Sequence, residues 1–189
     1  MERRYTSIAI TLHWLVAVAV IANVALALAW PSSPDDLVRP MINAHKSIGI
    51  TVLALAIMRL LWRLGNPPPP LPGGYKPWER RLSHLTHWAL YAIIFAMPIT
   101  GWVMDSAWDK AAQNPNYWFG LFEWPRLSFI MALDPATKKA VHDGFGEAHE
   151  IIGYLVYVLT GLHILGALKH QWIDGVRELQ RMWWDGRAA

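Results

Sequence analysis

The stretch HEIIGYLVYVLTGLH, residues 149–163, decides the fold of this chain. Only Glu150 is charged between its two terminal histidines, and the apolar run continues to Leu168. Such a run approaches the roughly 20 residues that a helix needs to cross a hydrocarbon core. His149 and His163 are separated by 14 residues. At 3.6 residues per turn they share one helix face, about 21 Å apart along the axis. The stretch therefore predicts a membrane helix that presents two possible metal ligands at two depths.

Three more apolar segments of similar length precede this one. Of the 189 residues, 54% are hydrophobic and only 16% are charged, which favours a membrane protein over a soluble domain. The first segment has some features of a signal peptide, but its length and its His13 favour a retained helix. We therefore predict an all-α membrane protein, a four-helix transmembrane bundle forming one domain over residues 1–189. The predicted spans are Ile8 to Trp30, Ile42 to Trp62, Leu85 to Met104 and Ile151 to Leu168.

The connections between these spans differ in length and character. Pro31, Pro34 and Pro40 are expected to interrupt the first, and the proline run 67–70 makes the second a stiff surface loop. The third, Asp105 to Gly144, is long and rich in aromatic residues, so we expect it to fold over the helix ends.

Apolar residues recur at helical spacing after the last span, which predicts a short C-terminal interfacial helix on the membrane face. An amphipathic tail with no further role is the favoured interpretation of this helix. The recurring residues are Trp172, Ile173, Val176, Leu179 and Trp183.

Basic residues predict the orientation. Counted from Arg59 and Lys169 outward, the N-terminus, the second loop and the C-terminal tail hold eleven of the seventeen Lys and Arg residues. The other two loops hold nine of the fourteen acids. The positive-inside rule therefore predicts a multi-pass membrane protein, in contact with lipid and with both termini in the cytoplasm. The net charge of +3 is too small to indicate nucleic acid as a partner.

The histidines are the strongest candidate metal ligands. The chain contains no cysteine, which excludes disulfides, iron–sulfur clusters, thiolate metal sites and covalent haem attachment. By depth, His45 pairs with His149 on the outer side, and His13 pairs with His163 on the cytoplasmic side. Two haems stacked through a bundle need this arrangement, so we predict two haem b groups bound through these four histidines.

Small residues beside the ligands support the haem interpretation. Gly49 and Gly153 each follow a histidine by four residues and lie on its face, where a flat macrocycle needs room. A single intramembrane histidine is more often a helix-to-helix hydrogen bond. Zinc is the rival metal, but it prefers clustered tetrahedral ligands rather than pairs at separate depths.

Other polar residues lie near the cytoplasmic end of the bundle. Arg59 faces the same way as His45 but at the depth of the inner haem, where charge is costly and usually functional, unless it snorkels to the surface. His84 and His87 share a face at the start of the third helix, and His170 follows His163 by seven residues. His142 is expected to lie in the third loop.

Several short motifs together make the sequence resemble the bacterial cytochrome b561 family over nearly its whole length. They are Tyr5 to Leu15, Arg39 to Gly49 with its HKSIG, Met58-Arg59-Leu60, His84-x-x-His87, and His149…Gly153-Tyr154…Gly161-Leu162-His163. The resemblance implies a four-helix bundle whose first, second and fourth helices bind two b haems. The implied ligands are His13, His45, His149 and His163.

The resemblance also implies a reaction. Short stand-alone members resemble superoxide oxidase, so we expect electrons to pass from superoxide to ubiquinone. Lys46 is the expected cationic residue for superoxide, with Arg39, Lys138 and Lys139 as supports, and His87 and Arg59 are the other expected catalytic residues. The candidates for the quinone site are Arg59, Ser83, His87, His170, Trp14 and Trp88. Alternatively, these groups only hold the haem propionates. In the alternative, the chain is the electron conduit or anchor subunit of a partner dehydrogenase or hydrogenase.

Overall fold

The computed structural model describes residues 4–184 and consists mainly of four long helices. These are α1 (Ser7–Ala29), α2 (Asp35–Gly65), α3 (Pro77–Ser106) and α5 (Pro135–Trp172). The short elements are 3₁₀ turns at Trp30–Ser32 and Ala111–Gln113, strands β1 (Tyr117–Trp118) and β2 (Phe122–Glu123), and helices α4 (Ser128–Met131) and α6 (Glu178–Arg181). All four long helices are long and apolar enough to cross a membrane. The chain is an integral membrane protein, and the predicted fold class is confirmed.

The bundle has two distinct ends. At the first, which we call the terminal end, the start of α1 meets the end of α2 and the start of α3 meets the end of α5. Trp62 Nε1 donates to Thr6 Oγ1 at 2.8 Å, and Lys169 pairs with Glu79 at 2.5 Å. The opposite end carries the connection between α3 and α5, and we call it the third-loop end.

The four helices associate as two pairs. α1 packs along α2, α3 packs along α5, and contacts between α2 and α3 join the pairs. Apolar side chains such as Val18, Ile21 and Leu165 are more than half exposed, as lipid-facing residues are in a protein viewed without its bilayer. Because one half of the bundle is α1 with α2 and the other is α3 with α5, side chains that bridge α1 or α2 to α5 join the two halves.

Helix α2 begins earlier than predicted, because Pro40 does not interrupt the first connection. Pro40 lies in the second turn of the helix, where its missing N–H removes a single backbone hydrogen bond. Asp35 and Asp36 in the first turn carry negative charge favoured by the helix dipole at that end. The predicted break at Pro40 was wrong.

Helix α5 also begins earlier than predicted, which places His142 in the helix rather than in a loop. Asp134 caps the helix by accepting from the N–H groups of Ala136 and Thr137, both at 3.1 Å. The His142 ring bonds through Nδ1 to the carbonyl oxygen of Met104 at 2.9 Å. A Cβ on Gly146 would lie 3.3 Å from the sulfur of Met104, so α3 and α5 pack closely here. This packing offsets the weak helix propensity that suggested a loop.

The third connection is shorter than predicted but folds over the helix ends as expected. The β1–β2 hairpin packs against α2: Ser47 Oγ accepts from the backbone N–H of Phe119 at 3.0 Å, and Trp118 Nε1 donates to Thr51 Oγ1 at 3.1 Å. Ser47 is 2% exposed, so the loop encloses this part of α2.

The C-terminal segment differs in form from the prediction. Its helix, α6, is a single turn, because α5 continues through Trp172 and Gly175 then adopts a positive φ of 69°. The segment packs across the terminal end rather than lying apart on the membrane face. Arg181 is 3% exposed and donates to the carbonyl oxygens of Pro69 at 3.3 Å and Pro70 at 2.8 Å.

Candidate functional site

Two histidine pairs lie inside the bundle, one toward each end. The ring centres of His45 and His149 are 6.2 Å apart, with an angle of 71° between the ring planes. Those of His13 and His163 are 6.1 Å apart, also at 71°. In each pair one ring comes from the α1–α2 half and the other from α5. The structure therefore brings together the partners that depth predicted.

The spacing of each pair would allow both imidazoles to bind one metal ion. An imidazole nitrogen bonds a first-row metal at about 2.0–2.1 Å, so two imidazoles on opposite sides have ring centres about 6 Å apart. Among residues 4–184, no three His, Cys, Asp or Glu side chains converge as a tetrahedral zinc site requires. Each imidazole pair is the ligand set of a bis-histidine haem. The residues present fit haem b.

Hydrogen bonds orient the pair at the third-loop end. His45 Nδ1 lies 3.2 Å from the carbonyl oxygen of Asn23, which can only accept, so Nδ1 carries the proton. His149 Nδ1 lies 3.0 Å from Thr100 Oγ1, whose own proton is directed at the carbonyls of Ala96 and Met97. Both rings therefore use Nδ1 as a donor and keep Nε2 for a metal.

Of the glycines near the two pairs, Gly101 is the one at close approach to a ligand ring. A Cβ on Gly101 would lie 3.2 Å from Cε1 of His149, so α3 comes near this ring only because residue 101 is glycine. Gly153, predicted to leave room beside His149, has no atom within 4 Å of a Cβ position. Gly49 faces the Nδ2 atom of Asn23 at 3.8 Å.

The pair at the terminal end has a different polar environment. Arg59 Nη1 lies 2.9 Å from His13 Nδ1, and Arg59 Nε donates to the hydroxyl of Tyr91 at 3.2 Å. The His87 ring is 5.3 Å from that of His163. The structure thus brings Arg59 and His87 to this pair, as their predicted depth requires.

The remaining quinone candidates separate into two groups. Trp88 lies beside Tyr91, with ring centres 5.9 Å apart, and Ser83 lies one helical turn before His87 on α3. Trp14 and His170 have other partners. Trp14 Nε1 donates to the carbonyl oxygen of Met182 at 2.8 Å.

His170 belongs to a polar cluster at the end of α5. Its Nδ1 lies 2.6 Å from Asp174, and its ring lies 4.0 Å from that of Tyr75. A hydrogen bond from Lys169 holds the pKa of the Asp174 carboxyl below its usual range. Burial, together with a hydrogen bond to Glu178, raises the pKa of Tyr75. At neutral pH the Asp174 carboxyl is therefore ionised and the Tyr75 hydroxyl is protonated. The contact between Tyr75 and His170 joins the second loop to the end of α5.

A charged cluster that the sequence did not reveal lies at the third-loop end. Asp105 receives Lys46 Nζ at 2.5 Å and Arg126 Nε at 2.8 Å. Both Asp105 and Arg126 are less than a tenth exposed. The third connection carries Arg126 back to the end of α3, a long-range contact with no local sequence signal. Thr100, Asn23 and Gly101 were missed for the same reason.

Next to this cluster is a cavity of about 210 Å³ lined by cations and amides. Arg39 donates to Asn114 at 2.9 Å, and its guanidinium lies 5.0 Å from the centre of the Trp108 ring. Two predicted supports of the superoxide site, Lys138 and Lys139, do not line this cavity, and Lys139 pairs with Asp143. The lining residues are Arg39, Asn43, Lys46, Gln113, Asn114, Pro115, Asn116 and Arg126.

A membrane bundle with an imidazole pair toward each end has the construction of a b-type cytochrome. The model of the prokaryotic cytochrome b561 family matches residues 4–185, and the chain belongs to that family. The predicted resemblance is confirmed. The chain is thus a membrane electron-transfer protein of a family that binds haem b.

Three curated relatives match the chain over most of its length. Cytochrome b561 homolog 2 of Escherichia coli (strain K12) is 36% identical, over 95% of this chain and 90% of the relative. The probable superoxide oxidase CybB of Yersinia pestis is 29% identical, over 96% and 97% respectively. Cytochrome b561 homolog 1 of Escherichia coli (strain K12) is 24% identical, over 95% and 96%.

Proposed function

We propose that this chain is a di-haem oxidoreductase that passes electrons from superoxide at the third-loop end to ubiquinone at the terminal end. The observation that carries the proposal is the presence of two imidazole pairs of nearly equal spacing, 6.1 and 6.2 Å. His149 and His163 place the pairs at two depths, about 21 Å apart along α5. Haem b, when bound, supplies a reversible one-electron couple at each pair.

Two haem sites suit the proposed electron balance. Two superoxide anions each lose one electron and become dioxygen. Ubiquinone gains these two electrons and two protons and becomes ubiquinol. Two one-electron sites match a one-electron donor to a two-electron acceptor. The similarity to the probable superoxide oxidase of Yersinia pestis supports superoxide as the donor.

The charges at the third-loop end support an anionic donor. Arg39, Lys46 and Arg126 line the cavity, and Asp105 pairs with Lys46 and Arg126. The cluster keeps a positive balance, which attracts small anions. Lys46 lines the cavity and is adjacent in the chain to His45, one of the paired histidines. Arg39, whose hydrogen-bond partner Asn114 is neutral, is the stronger attractor because its charge is not cancelled.

Residues at the terminal end support a quinone site. Reduction of a quinone needs protons near the electron source, and a histidine ring can relay a proton between its two nitrogens. His87 lies on α3 beside His163. Ser83 offers a hydroxyl on the preceding turn, and Trp88 offers an exposed ring for stacking. Arg59 borders this group, whereas Trp14 and His170 have other hydrogen-bond partners.

The excess of basic residues at the terminal end supports a cytoplasmic location for that end. Ubiquinone would then take its protons from the cytoplasm, while superoxide would be oxidised on the outer side of the inner membrane.

Pulsed superoxide tests the donor. Purified haem-loaded protein should be reduced quickly, and more slowly as salt screens the cationic cavity. Arg39→Gln and Lys46→Gln should slow this reduction. Lys110→Gln, an equal charge change on an exposed residue outside the cavity, should leave the rate unchanged. Reduction no faster than that of free haem, with ready reduction by quinol, would instead make the chain a quinol-side carrier for a partner protein.

Quinone-dependent reoxidation tests the acceptor. His87→Ala should slow the reoxidation of prereduced protein by a short-chain ubiquinone, with the haem content unchanged. His84→Ala alters an exposed histidine on the same helix and serves as the control. Equal rates in the two variants would place the quinone site elsewhere.

A further inference from the structure

The β1–β2 hairpin of the third connection presents large apolar side chains to its surroundings. Leu121 is 73% exposed, and Phe119 and Phe122 are each about half exposed. We call these three residues the hairpin tip. No residue between Lys110 and Glu123 is charged. A contiguous apolar surface without charges is typical of a site that contacts an apolar partner rather than water.

The hairpin packs on the outside of the helix bundle. It bonds to Ser47 and Thr51 of α2, which lie one helical turn apart on one face. At the same helical spacing this face continues to Ala54 and Met58, and both are exposed. The exposed face of a membrane-spanning helix is the face that contacts lipid. The hairpin therefore lies on the lipid-facing side of α2, and its tip continues the surface that the helix presents to lipid.

The opposite face of α2 forms the interior of the bundle. His45, Val52 and Ala56 share that face at helical spacing. Val52 is 5% exposed and Ala56 is fully buried. The hairpin and the paired histidine therefore lie on opposite sides of α2, so the hairpin tip is separate from the site described above.

The depth of the hairpin follows from its contact with Ser47. Helices α2 and α5 both run from the third-loop end to the terminal end, and His45 pairs with His149. Ser47 and Ile151 each lie two residues further along their helices, so they lie at similar depths. The apolar run of α5 begins at Ile151, directly after the exposed Glu150. The hairpin therefore lies beside the start of the apolar spans, where aromatic residues collect in membrane proteins.

The turn of the hairpin has paired hydrogen-bonding groups, as this depth requires. The N–H of Leu121 donates to the carbonyl oxygen of Trp118 at 2.9 Å, and the N–H of Phe119 donates to Ser47 Oγ at 3.0 Å. The indole Nε1 of Trp118 donates to Thr51 Oγ1 at 3.1 Å. Unpaired backbone groups are costly in contact with lipid, and these bonds remove that cost at the turn.

The backbone at Phe119 gives a second reason to assign a role to the tip. Phe119 has a φ of 46°, in the left-handed region that is uncommon for a bulky residue. A glycine would adopt this conformation without strain, as Gly120 does next to it with a φ of 75°. The turn itself is thus better served by glycine, and the exposed phenylalanine ring has a use outside the turn.

We infer that the hairpin tip inserts into the lipid interface of the membrane leaflet at the third-loop end. Its partner is the boundary between phospholipid headgroups and acyl chains, where apolar and aromatic side chains of surface-bound segments insert. The contacts with Ser47 and Thr51 hold the tip at that depth. The inference does not depend on the proposed electron donor or acceptor.

Site-directed spin labelling tests this location, and the chain suits it because it contains no cysteine. Leu121→Cys carries a nitroxide at the tip, on a side chain exposed enough to be replaced without disturbing the fold. Lys110→Cys, on an exposed residue of the same connection, is the control for water. Val18→Cys, on a residue 63% exposed at the middle of α1, is the control for deep lipid. Each variant should keep the haem content of the unmodified protein.

The labelled proteins are placed in nanodiscs of phosphatidylethanolamine and phosphatidylglycerol. Power-saturation electron paramagnetic resonance then measures collisions of the nitroxide with oxygen, which enters lipid, and with a water-soluble nickel chelate, which does not. The ratio of oxygen to nickel collisions at residue 121 should be several-fold higher than at residue 110 and lower than at residue 18. Phe122→Cys should give the same result as Leu121→Cys.

Two outcomes would overturn the inference. Equal ratios at residues 121 and 110 would place the tip in water. Protection of residue 121 from both reagents would show that protein covers the tip, as a second copy of this chain packed against it would do.

Discussion

The two ends of the bundle hold their histidine pairs at almost the same spacing and surround them with different polar contacts. At the third-loop end, Asp105 pairs with the cations of Lys46 and Arg126, and both ligand rings donate to neutral oxygens. At the terminal end, Arg59 donates to a ligand ring and forms no ion pair with a carboxylate within residues 4–184. A four-helix scaffold can therefore repeat one ligand geometry while the residues around it make the two sites chemically different.

Removal of one histidine ligand should produce the largest difference between the two ends. His149→Ala should abolish haem binding at the third-loop end, and His163→Ala should abolish it at the terminal end, because each leaves a single imidazole. Each variant should lose half of the haem by pyridine haemochrome analysis, with different residual spectra. A spectrum unchanged when both histidines are replaced would contradict the assignment.

The ion pairs of the third-loop end should be the next most sensitive feature. Asp105→Asn leaves Lys46 and Arg126 without their carboxylate at a site less than a tenth exposed, and breaking such a pair costs about 3–5 kcal/mol. The midpoint of thermal unfolding in detergent should fall markedly. Asp109→Asn, on an exposed residue of the same connection, should change it little. Equal midpoints would show that the cluster contributes nothing to stability.

A substitution that disturbs close helix packing at one end should have a smaller effect on haem binding. Gly101→Ala places a methyl group 3.2 Å from His149, so the ring must shift. The affinity for haem at the third-loop end should fall, while the terminal end keeps its haem in competition with apomyoglobin. Gly144→Ala gains the same helix propensity in open space and is the control. Loss of haem from both ends would show that the effect is not local to His149.

The C-terminal contact of the terminal end should give the smallest effect. Trp14→Phe loses the hydrogen bond to Met182, which contributes about 1 kcal/mol. Transient release of the C-terminal segment should then rise about fivefold. Trypsin cleavage after Arg177 and Arg181 measures it. Trp78→Phe, on a ring that is 56% exposed, should not alter cleavage.

The sequence predicted the membrane-spanning parts of the helices and the pairing of four histidines, because both depend on spacing along one element. It did not predict helix ends. Pro40 and Gly146 suggest breaks locally, but tertiary packing and capping keep them helical. Nor did it predict the residues that distinguish the two pairs. Arg126 and Thr100 act through contacts between distant segments, and the predicted depth of Arg59 did not reveal its bond to His13.

The hydrogen bonds that Arg181 makes with the second loop also have a consequence for biogenesis. Arg181 bonds the proline loop, and its backbone carbonyl accepts from the N–H of Tyr5 at 3.4 Å. The ribosome makes residue 181 after all four membrane helices. The hydrogen bonds of Arg181 with Tyr5 and with the second loop can therefore form only after residue 181 is made. The bond from Trp14 to Met182 likewise forms only after residue 182 is made. The contacts at the terminal end are therefore the last to form during synthesis. The third connection can pack over the opposite end of the bundle before they do.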